Sequence, residues 1–185
     1  MLTRLKVKGF KNLQDVDVRF GPFTCIVGLN GVGKSNLFDA IHFLSLLADK
    51  TFVEAAAAVR GLEGRMGDVA TLFCNDGGEF AEEMSFEAEM IIPDQGTDEL
   101  GTPVEASHTF LVYKIRLRRR PDPSHPAGPL ELTKEEMHPV KSAEASERLG
   151  FKHTPAWRHS VVKGRGIRPY IHTANPPETL DGRAK

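Results

Sequence analysis

The sequence predicts an α/β fold in which a strand, a glycine-rich loop and a helix precede an antiparallel β-rich section. Residues 23–27 form an apolar run of the kind that is buried on both faces of a sheet. Residues 28–35 read GLNGVGKS, and the residues after them carry apolar side chains at helical spacing, at Leu37, Ala40, Ile41, Leu44 and Ala48. Residues 84–92 and 111–117 alternate apolar and polar side chains, as strands do.

The segment before the loop is also a predicted strand. Residues 15–20 alternate strictly between polar and apolar side chains, which predicts a strand with one solvent-facing side. Gly21 and Pro22 then form a turn that leads into the apolar run at residues 23–27.

The loop fits the phosphate-binding pattern G-x-x-x-x-G-K-[ST]. Its glycines allow positive φ angles, so that successive backbone N–H groups can turn toward phosphate oxygens. An ammonium group at Lys34 is suited to β- and γ-phosphate charge, and the Ser35 hydroxyl can serve as a ligand of Mg²⁺. The helix that follows presents the positive end of its dipole to the same place. We therefore predict that a nucleoside triphosphate and Mg²⁺ bind at Gly28, Asn30, Gly31, Val32, Gly33, Lys34, Ser35 and Asn36.

The stretch GLNGVGKSNLFDAI, at residues 28–41, resembles the SMC, RecF and OLD families of ATPases. The opening LTRLKVK, GFKNL and VDVRF resembles the N-terminal hairpin of the same families. The resemblance implies the first lobe of an ABC-type ATPase, in which Lys11 and Asn12 lie beside the base, ribose or α-phosphate. It also implies a homodimer closed around nucleotide, and a role in DNA repair, chromosome maintenance or phage defence. From the residues alone, a polar hairpin turn is the favoured interpretation of Lys11 and Asn12, and the resemblance favours the nucleotide contact instead.

Two features of a complete enzyme of this kind are missing from the sequence. We find no apolar strand that ends in Asp-Glu, since the nearest imitation, MIIPD at residues 90–94, contains proline and lacks the glutamate. We find no LSGGQ-like segment, and neither Gln14 nor Gln95 is placed as the glutamine that joins the lobes. The chain is therefore interpreted as a partial ATPase domain that needs the remainder of the protein, or a second subunit, and hydrolyses ATP negligibly by itself.

The rest of the chain is predicted to be mostly β-structure. Residues 51–54 have the form of a capping box, and a short helix is expected to end near Gly61. The acidic face of the strand at 84–92 and the basic face of the strand at 111–117 are expected to pair. The other expectations are a glycine-rich loop at 61–67, a surface excursion at 93–107, a proline-rich linker at 121–129, a short strand at 130–132, two helical turns at 142–149 and a hairpin formed by 161–162 and 167–171. We divide the single partial domain, 1–185, into 1–60, a β-rich section at 61–175 and a frayed tail at 176–185.

Three alternatives to the ATPase interpretation remain open. A nucleic-acid-binding module would use the basic residues Lys114, Arg116, Arg118, Arg119 and Arg120, helped by Lys163, Arg165 and Arg168, although a solvated strand edge explains the same charges. The nucleotide-binding subunit of an ABC transporter shares the loop, but Asn30 and Asn36 differ from its usual form. A GTPase is weakly indicated by DELG at residues 98–101, which formally fits D-x-x-G.

Composition restricts the remaining classes. With 185 residues, 40% hydrophobic content and a net charge of −1, the chain is suited to one domain and has no overall attraction for nucleic acid, so any DNA or RNA contact must come from a local patch. Its two cysteines show no disulfide or C-x-x-C spacing. No signal peptide or membrane-spanning run is found. The expected location is cytoplasmic, without a membrane partner.

Overall fold

The computed structural model of the protein describes residues 1–59, 66–98, 100–120, 129–164 and 166–173. Its elements in chain order are β1 (Leu2–Phe10), β2 (Leu13–Arg19), α1 (Lys34–Leu46), α2 (Phe52–Ala58), a 3-10 helix (Met66–Leu72), β3 (Asn75–Asp76), β4 (Glu79–Phe80), β5 (Glu83–Ile91), β6 (Gln95–Thr97), β7 (Pro103–Glu105), β8 (Phe110–Arg119), β9 (Leu130–Pro139), α3 (Ser142–Arg148), α4 (Pro155–Val161) and β10 (Ile171–His172). The predicted α/β class is confirmed.

Six strands form one antiparallel sheet in the order β10-β9-β8-β5-β1-β2. The sequence alternation decides which face of the sheet is buried, because successive side chains on a strand point to opposite faces. In β1, Leu5 and Val7 are buried, whereas Lys6 and Lys8 are exposed. The predicted N-terminal hairpin is confirmed, with Val7 of β1 opposite Val16 of β2.

Helix α1 packs on the buried face of the sheet through three aromatic rings. The ring centroid of Phe43 lies 5.4 Å from that of Phe86 on β5 and 6.1 Å from that of Phe10 on β1. All three side chains belong to the main hydrophobic core. Aromatic pairs at such distances stabilise by about 1 kcal/mol beyond the area they bury. This packing fixes the position of α1, and with it the loop that precedes the helix.

The predicted capping box at the start of α2 is confirmed. The Thr51 hydroxyl accepts a hydrogen bond from the backbone N–H of Glu54, and the Glu54 carboxylate accepts one from the backbone N–H of Thr51. These backbone and side-chain bonds from Thr51 lower the pKa of Glu54. The expected stop at Gly61 lies outside the described residues, as does most of the predicted loop at 61–67.

The expected pairing of acidic β5 with basic β8 is confirmed. Lys114 lies 3.0 Å from Glu87, and Arg118 lies 2.6 Å from Glu83. Glu89 is an exception to the predicted acidic face, because it is buried at 1% exposure. Its Oε1 atom accepts hydrogen bonds from Arg4 and Arg148, at 3.1 and 2.9 Å, which offset part of the cost of burying its charge.

The prediction of a buried strand at residues 23–27 is wrong for this structure. These residues form no strand, and Phe23 and Val27 are 88% and 87% exposed. A strand exists only when its backbone pairs with a neighbour, and no described strand lies beside this segment. The apolar run therefore has the composition of an inner strand without the partners that would bury it.

The predicted hairpin at residues 161–171 is also wrong. Residues up to Val161 belong to α4, and only Ile171 and His172 pair, with β9. The Thr154 hydroxyl accepts a hydrogen bond from the backbone N–H of Trp157, and Pro155 is at the first helical position. A capping threonine followed by proline starts a helix, and this signal was missed in the sequence.

Several smaller expectations can be compared directly. Helix α3 confirms the two helical turns predicted at 142–149, and the short strand at 130–132 is longer than expected, as β9. The excursion at 93–107 contains the small hairpin of β6 and β7. The proline-rich linker at 121–129 lies mostly outside the described residues, and the tail at 176–185 lies entirely outside them.

Candidate phosphate-binding site

The glycine-rich loop connects β2 to α1 and leads directly into the first turn of the helix. Gly33 is the N-cap residue of α1, with φ 104°, and no side chain caps the helix there. Gly31 has φ 85°. No acidic residue lies in the first turn of α1. A 13-residue helix therefore presents free backbone N–H groups and the positive end of its dipole at the loop, which suits an anion.

Gly28 differs from the prediction that all three loop glycines have positive φ. It is not among the residues in the left-handed region. A Cβ atom added at Gly28 would lie 3.2 Å from Cγ2 of Val32, so the Val32 side chain lies close to the Gly28 backbone. At Gly31 an added Cβ would meet no atom within 4 Å, which shows that this part of the loop is open.

The Lys34 side chain folds back over its own loop. Its Nζ atom donates hydrogen bonds of 2.6 Å to the carbonyl oxygens of Gly28 and Leu29. Ser35 is exposed beside it at the start of the helix. An ammonium at the loop and a hydroxyl on the next residue are a suitable donor set for phosphate and for Mg²⁺. The residues therefore fit a nucleotide polyphosphate.

The turn between β1 and β2 contacts the loop through Asn12. Its Nδ2 atom donates a 3.0 Å hydrogen bond to the carbonyl oxygen of Gly31, and its Oδ1 atom accepts a 2.7 Å bond from Nδ2 of Asn36. The neighbouring Lys11 has φ 49°, an uncommon value for a residue with a side chain. The structure thus brings the two predicted groups, turn and loop, together. Whether Lys11 and Asn12 contact nucleotide stays a prediction.

Lys11 is held by a partner that sequence reasoning missed. Its Nζ atom lies 2.9 Å from Oδ2 of Asp39 on α1, and the side chains of Lys11 and Asp39 are only 15% and 8% exposed. The pair joins the turn to the helix at a second point, beyond Asn12. The available signal in the sequence was an acidic residue at position 39, next to the apolar positions 37 and 40.

The proposed nucleic-acid residues on β8 are engaged with other parts of the protein. Lys114 and Arg118 are paired with acidic residues of β5, as described above, and Arg116 lies 3.9 Å from Glu83. Arg119 lies over the Phe80 ring, and Arg120 donates to the carbonyl oxygen of Leu130. Cross-strand pairing neutralises much of this patch, which favours the strand-edge interpretation of its charge.

The other candidate residues have structural partners too. Asp94, in the imitation of an Asp-Glu strand end, is paired with Lys163, and this hydrogen bond lowers the pKa of Asp94. Asp98, in the D-x-x-G match, accepts hydrogen bonds from the backbone N–H groups of Leu100 and Thr102 and so stabilises a turn. Glu99 and Arg165 lie outside the described residues.

Among the described residues, no group of three or more histidine, cysteine, aspartate or glutamate side chains is arranged to hold a metal ion. A Mg²⁺ ion at Ser35 would therefore depend on phosphate oxygens and water for most of its ligands. In the same part of the chain, no helix is long and apolar enough to span a membrane.

Comparison with known proteins finds similarity in the N-terminal part of the chain. The model of the RecF/RecN/SMC N-terminal domain matches residues 1–88. The DNA replication and repair protein RecF of Porphyromonas gingivalis is 41% identical over 61 residues, which are 32% of this chain and 17% of that protein. The OLD nuclease of Thermus scotoductus is 54% identical over 44 residues, 24% of this chain and 8% of that protein. The chain thus corresponds to a small part of either relative.

A solved structure described as "Structural biochemistry of ATP-driven dimerization and DNA stimulated activation of SMC ATPases" is 21% identical to this chain. The match covers 86% of this chain and 96% of that chain, with a TM-score of 0.45. A likeness this loose carries no conclusion about site or partners.

Proposed function

We propose that residues 1–88 belong to an N-terminal ATPase lobe of the SMC and RecF type, as their match to the RecF/RecN/SMC N-terminal domain supports, and that the chain binds Mg·ATP through its glycine-rich loop. The observation that carries the proposal is the arrangement at the start of α1, where Lys34 turns its ammonium toward a loop opened by Gly31 and Gly33. This arrangement favours the SMC and RecF branch over the transporter and GTPase alternatives only together with the family match.

The loop residues would share the work of binding the polyphosphate. Backbone N–H groups between Asn30 and Asn36, Val32 among them, would donate to phosphate oxygens, as the free N–H groups at a helix start can. The Lys34 ammonium would exchange the carbonyl oxygens of Gly28 and Leu29 for β- and γ-phosphate oxygens. Mg²⁺, when bound, neutralises phosphate charge, and Ser35 would supply one of its oxygen ligands. Lys11 and Asn12 would border the nucleoside end.

Hydrolysis needs more than this chain offers. Phosphoryl transfer to water requires a group that orients the attacking water, in addition to a clamp on the phosphates. The one acidic side chain that imitates such a group in sequence, Asp94, is paired with Lys163. We therefore propose that this chain binds ATP but turns it over negligibly until the rest of the ATPase is present.

We propose that the remainder of the ATPase docks on an exposed apolar stretch of this chain. Phe23, Val27 and Leu29 are 88%, 87% and 81% exposed, and a group of exposed apolar side chains often marks a surface that binds another protein. We propose that residues 23–27 become a strand when a strand of the missing part pairs with them. DNA repair, chromosome maintenance or phage defence is the proposed setting, in the cytoplasm, and a homodimer around nucleotide is the proposed assembly. Contact with DNA or RNA is proposed for the complete assembly only.

Titration with a fluorescent ATP analogue in the presence of Mg²⁺ tests the binding proposal. We expect Lys34→Ala to weaken binding about ten- to hundredfold, because a hydrogen bond to a charged group contributes about 1.5–3 kcal/mol. Lys152→Ala is the matched control, since Lys152 is exposed and outside the site. Equal affinities of the wild type and Lys34→Ala would rule the proposal out. A turnover measurement on the same samples should show no hydrolysis that depends on Lys34.

A further inference from the structure

The Asn12 side chain of the β1–β2 turn hydrogen-bonds to the glycine-rich loop. Its amide joins the Gly31 carbonyl oxygen at 3.0 Å to the Asn36 side chain at 2.7 Å, so that the turn, the loop and the first turn of α1 are connected through one group. We infer that Asn12 is a positioning residue, which holds the loop ready for phosphate before any nucleotide arrives. This inference rests on the proposed function of the loop.

The geometry of the peptide bond explains how one hydrogen bond from Asn12 can hold the loop ready for phosphate. No peptide bond of the described residues is cis, and in a trans peptide the C=O and the next N–H point in opposite directions. When Asn12 holds the Gly31 carbonyl oxygen, the N–H of Val32 must point away from Asn12. Gly31 can rotate freely without such a contact, because glycine has access to many backbone conformations. Asn12 therefore selects the orientation of the Val32 N–H group.

Packing at Gly33 supports a fixed place for the Asn12 side chain. A Cβ atom at Gly33 would lie only 2.6 Å from Oδ1 of Asn12 and 3.1 Å from a methyl carbon of Leu13. The amide of Asn12 thus occupies the space beside the N-cap of α1, where no side chain of the helix itself provides a cap. Only glycine at position 33 leaves room for it.

Asn12 is itself held by the surrounding backbone and by Lys11. The backbone N–H of Lys11 donates a 2.7 Å hydrogen bond to the carbonyl oxygen of Leu72, at the end of the 3-10 helix. The Lys11 ammonium is bonded to Asp39 in the middle of α1. The turn is thus attached on two sides, and a hydrogen bond from such an anchor restrains the loop more than one from a mobile segment.

A direct contact between Asn12 and the adenosine part of ATP is the competing role, and the two roles differ in what they affect. Positioning of the loop affects every ligand that uses the phosphate site, including inorganic triphosphate. A contact to base or ribose affects ATP alone. If Asn12 positions the loop, removing its side chain also changes the loop when no ligand is bound. If Asn12 only contacts the nucleotide, including its phosphates, the ligand-free loop stays the same.

The test compares the wild type, Asn12→Ala and Asn75→Ala for Mg²⁺-dependent binding of ATP and of inorganic triphosphate. Asn75 is a matched control, because its side chain also accepts a backbone hydrogen bond in a turn, from Gly78, but it lies on β3. We expect Asn12→Ala to weaken both ligands by the same factor, about fivefold, which corresponds to one ordinary hydrogen bond. Amide hydrogen exchange at residues 28–36 of the ligand-free protein should become faster in Asn12→Ala and stay unchanged in Asn75→Ala.

Two further variants keep the test decisive if Asn12→Ala folds poorly. Asn36→Ala removes the donor to Asn12 and should give a smaller loss of affinity with the fold intact. The double variant Asn12→Ala/Asn36→Ala should lose no more than Asn12→Ala alone, because Asn36 acts through Asn12. Failure of the wild type to bind either ligand refutes the proposed function, and this inference with it. If the wild type binds but Asn12→Ala weakens ATP alone, or leaves loop exchange unchanged, only the positioning role is refuted.

Discussion

Alanine substitutions at Gly31 and Gly33 should have clearly different effects on stability. Both glycines have positive φ angles, 85° and 104°, so either substitution forces a side chain into the left-handed region. Their surroundings differ, because a Cβ at Gly31 meets nothing within 4 Å, whereas one at Gly33 lies 2.6 Å from Oδ1 of Asn12. Gly31→Ala thus measures the backbone cost alone, and Gly33→Ala adds the displacement of Asn12.

The size of the difference follows from the contacts that Asn12 must give up. The left-handed conformation costs about 1–2 kcal/mol for a residue with a Cβ atom, and this cost applies to both variants. Displacing the Asn12 side chain breaks its bonds to Gly31 and Asn36, which contribute about 1 kcal/mol each. We therefore expect a loss of about 1–2 kcal/mol in the free energy of unfolding for Gly31→Ala and about 3–4 kcal/mol for Gly33→Ala.

Urea denaturation of the two variants gives both free energies under one set of conditions. A third sample sharpens the comparison: in an Asn12→Ala background, the excess cost of Gly33→Ala over Gly31→Ala should shrink, because the clashing oxygen is gone and only the 3.1 Å contact with Leu13 remains. The reasoning is refuted if Gly31→Ala and Gly33→Ala are equally destabilising, or if the excess cost of Gly33→Ala is undiminished without the Asn12 side chain.

Two other predictions concern the buried pair and a histidine. Lys11→Met should destabilise the protein by about 2 kcal/mol in urea denaturation, because it removes the 2.9 Å ion pair with Asp39, whose side chain is only 8% exposed. Lys8→Met, at a 69% exposed lysine, should change stability little, and similar losses in both would contradict the importance of the pair. His138 should titrate below 6.5 by NMR, because burial and then the charge of Lys114 lower its pKa. Because the folded state favours neutral His138, the stability that this histidine contributes is fully present above pH 6.5 and is lost as the pH falls below that value. An NMR titration midpoint of His138 at or above 6.5 would contradict this prediction.

The parts of the fold that the sequence predicts correctly are those decided by local patterns. Alternation over residues 84–92 and 111–117 identifies β5 and β8, and opposite charges on their exposed faces predict their pairing. The capping box of α2 is likewise read from four adjacent residues. In these segments the side-chain period and the capping groups all favour the same structure, so local information is sufficient.

The errors arise where distant residues decide the outcome. The apolar run at residues 23–27 has the composition of an inner strand, but strand formation depends on a neighbour that its own sequence does not specify. Glu89 alternates correctly as a polar position and is nevertheless buried, because Arg4 and Arg148 approach it from β1 and α3. The Lys11–Asp39 pair also joins residues 28 positions apart. Periodicity contains no information about such partners.

The glycine-rich loop is held by nearby residues at one end and lacks a strand partner at the other, and this affects how tightly the loop would bind phosphate. On the side of Gly31 and Gly33 the loop is fixed by Asn12, whereas on the side of Gly28 it continues into the unpaired residues 23–27. At that end Lys34 itself donates hydrogen bonds to the carbonyl oxygens of Gly28 and Leu29. When phosphate binds, the Lys34 ammonium must leave the loop carbonyl oxygens that it holds. The loss of these hydrogen bonds offsets part of the free energy gained by binding. If residues 23–27 pair with a strand of the proposed partner, this end would be held independently and Lys34 would be released for the phosphates. The proposed docking would thus strengthen nucleotide binding even without contributing a contact to the nucleotide.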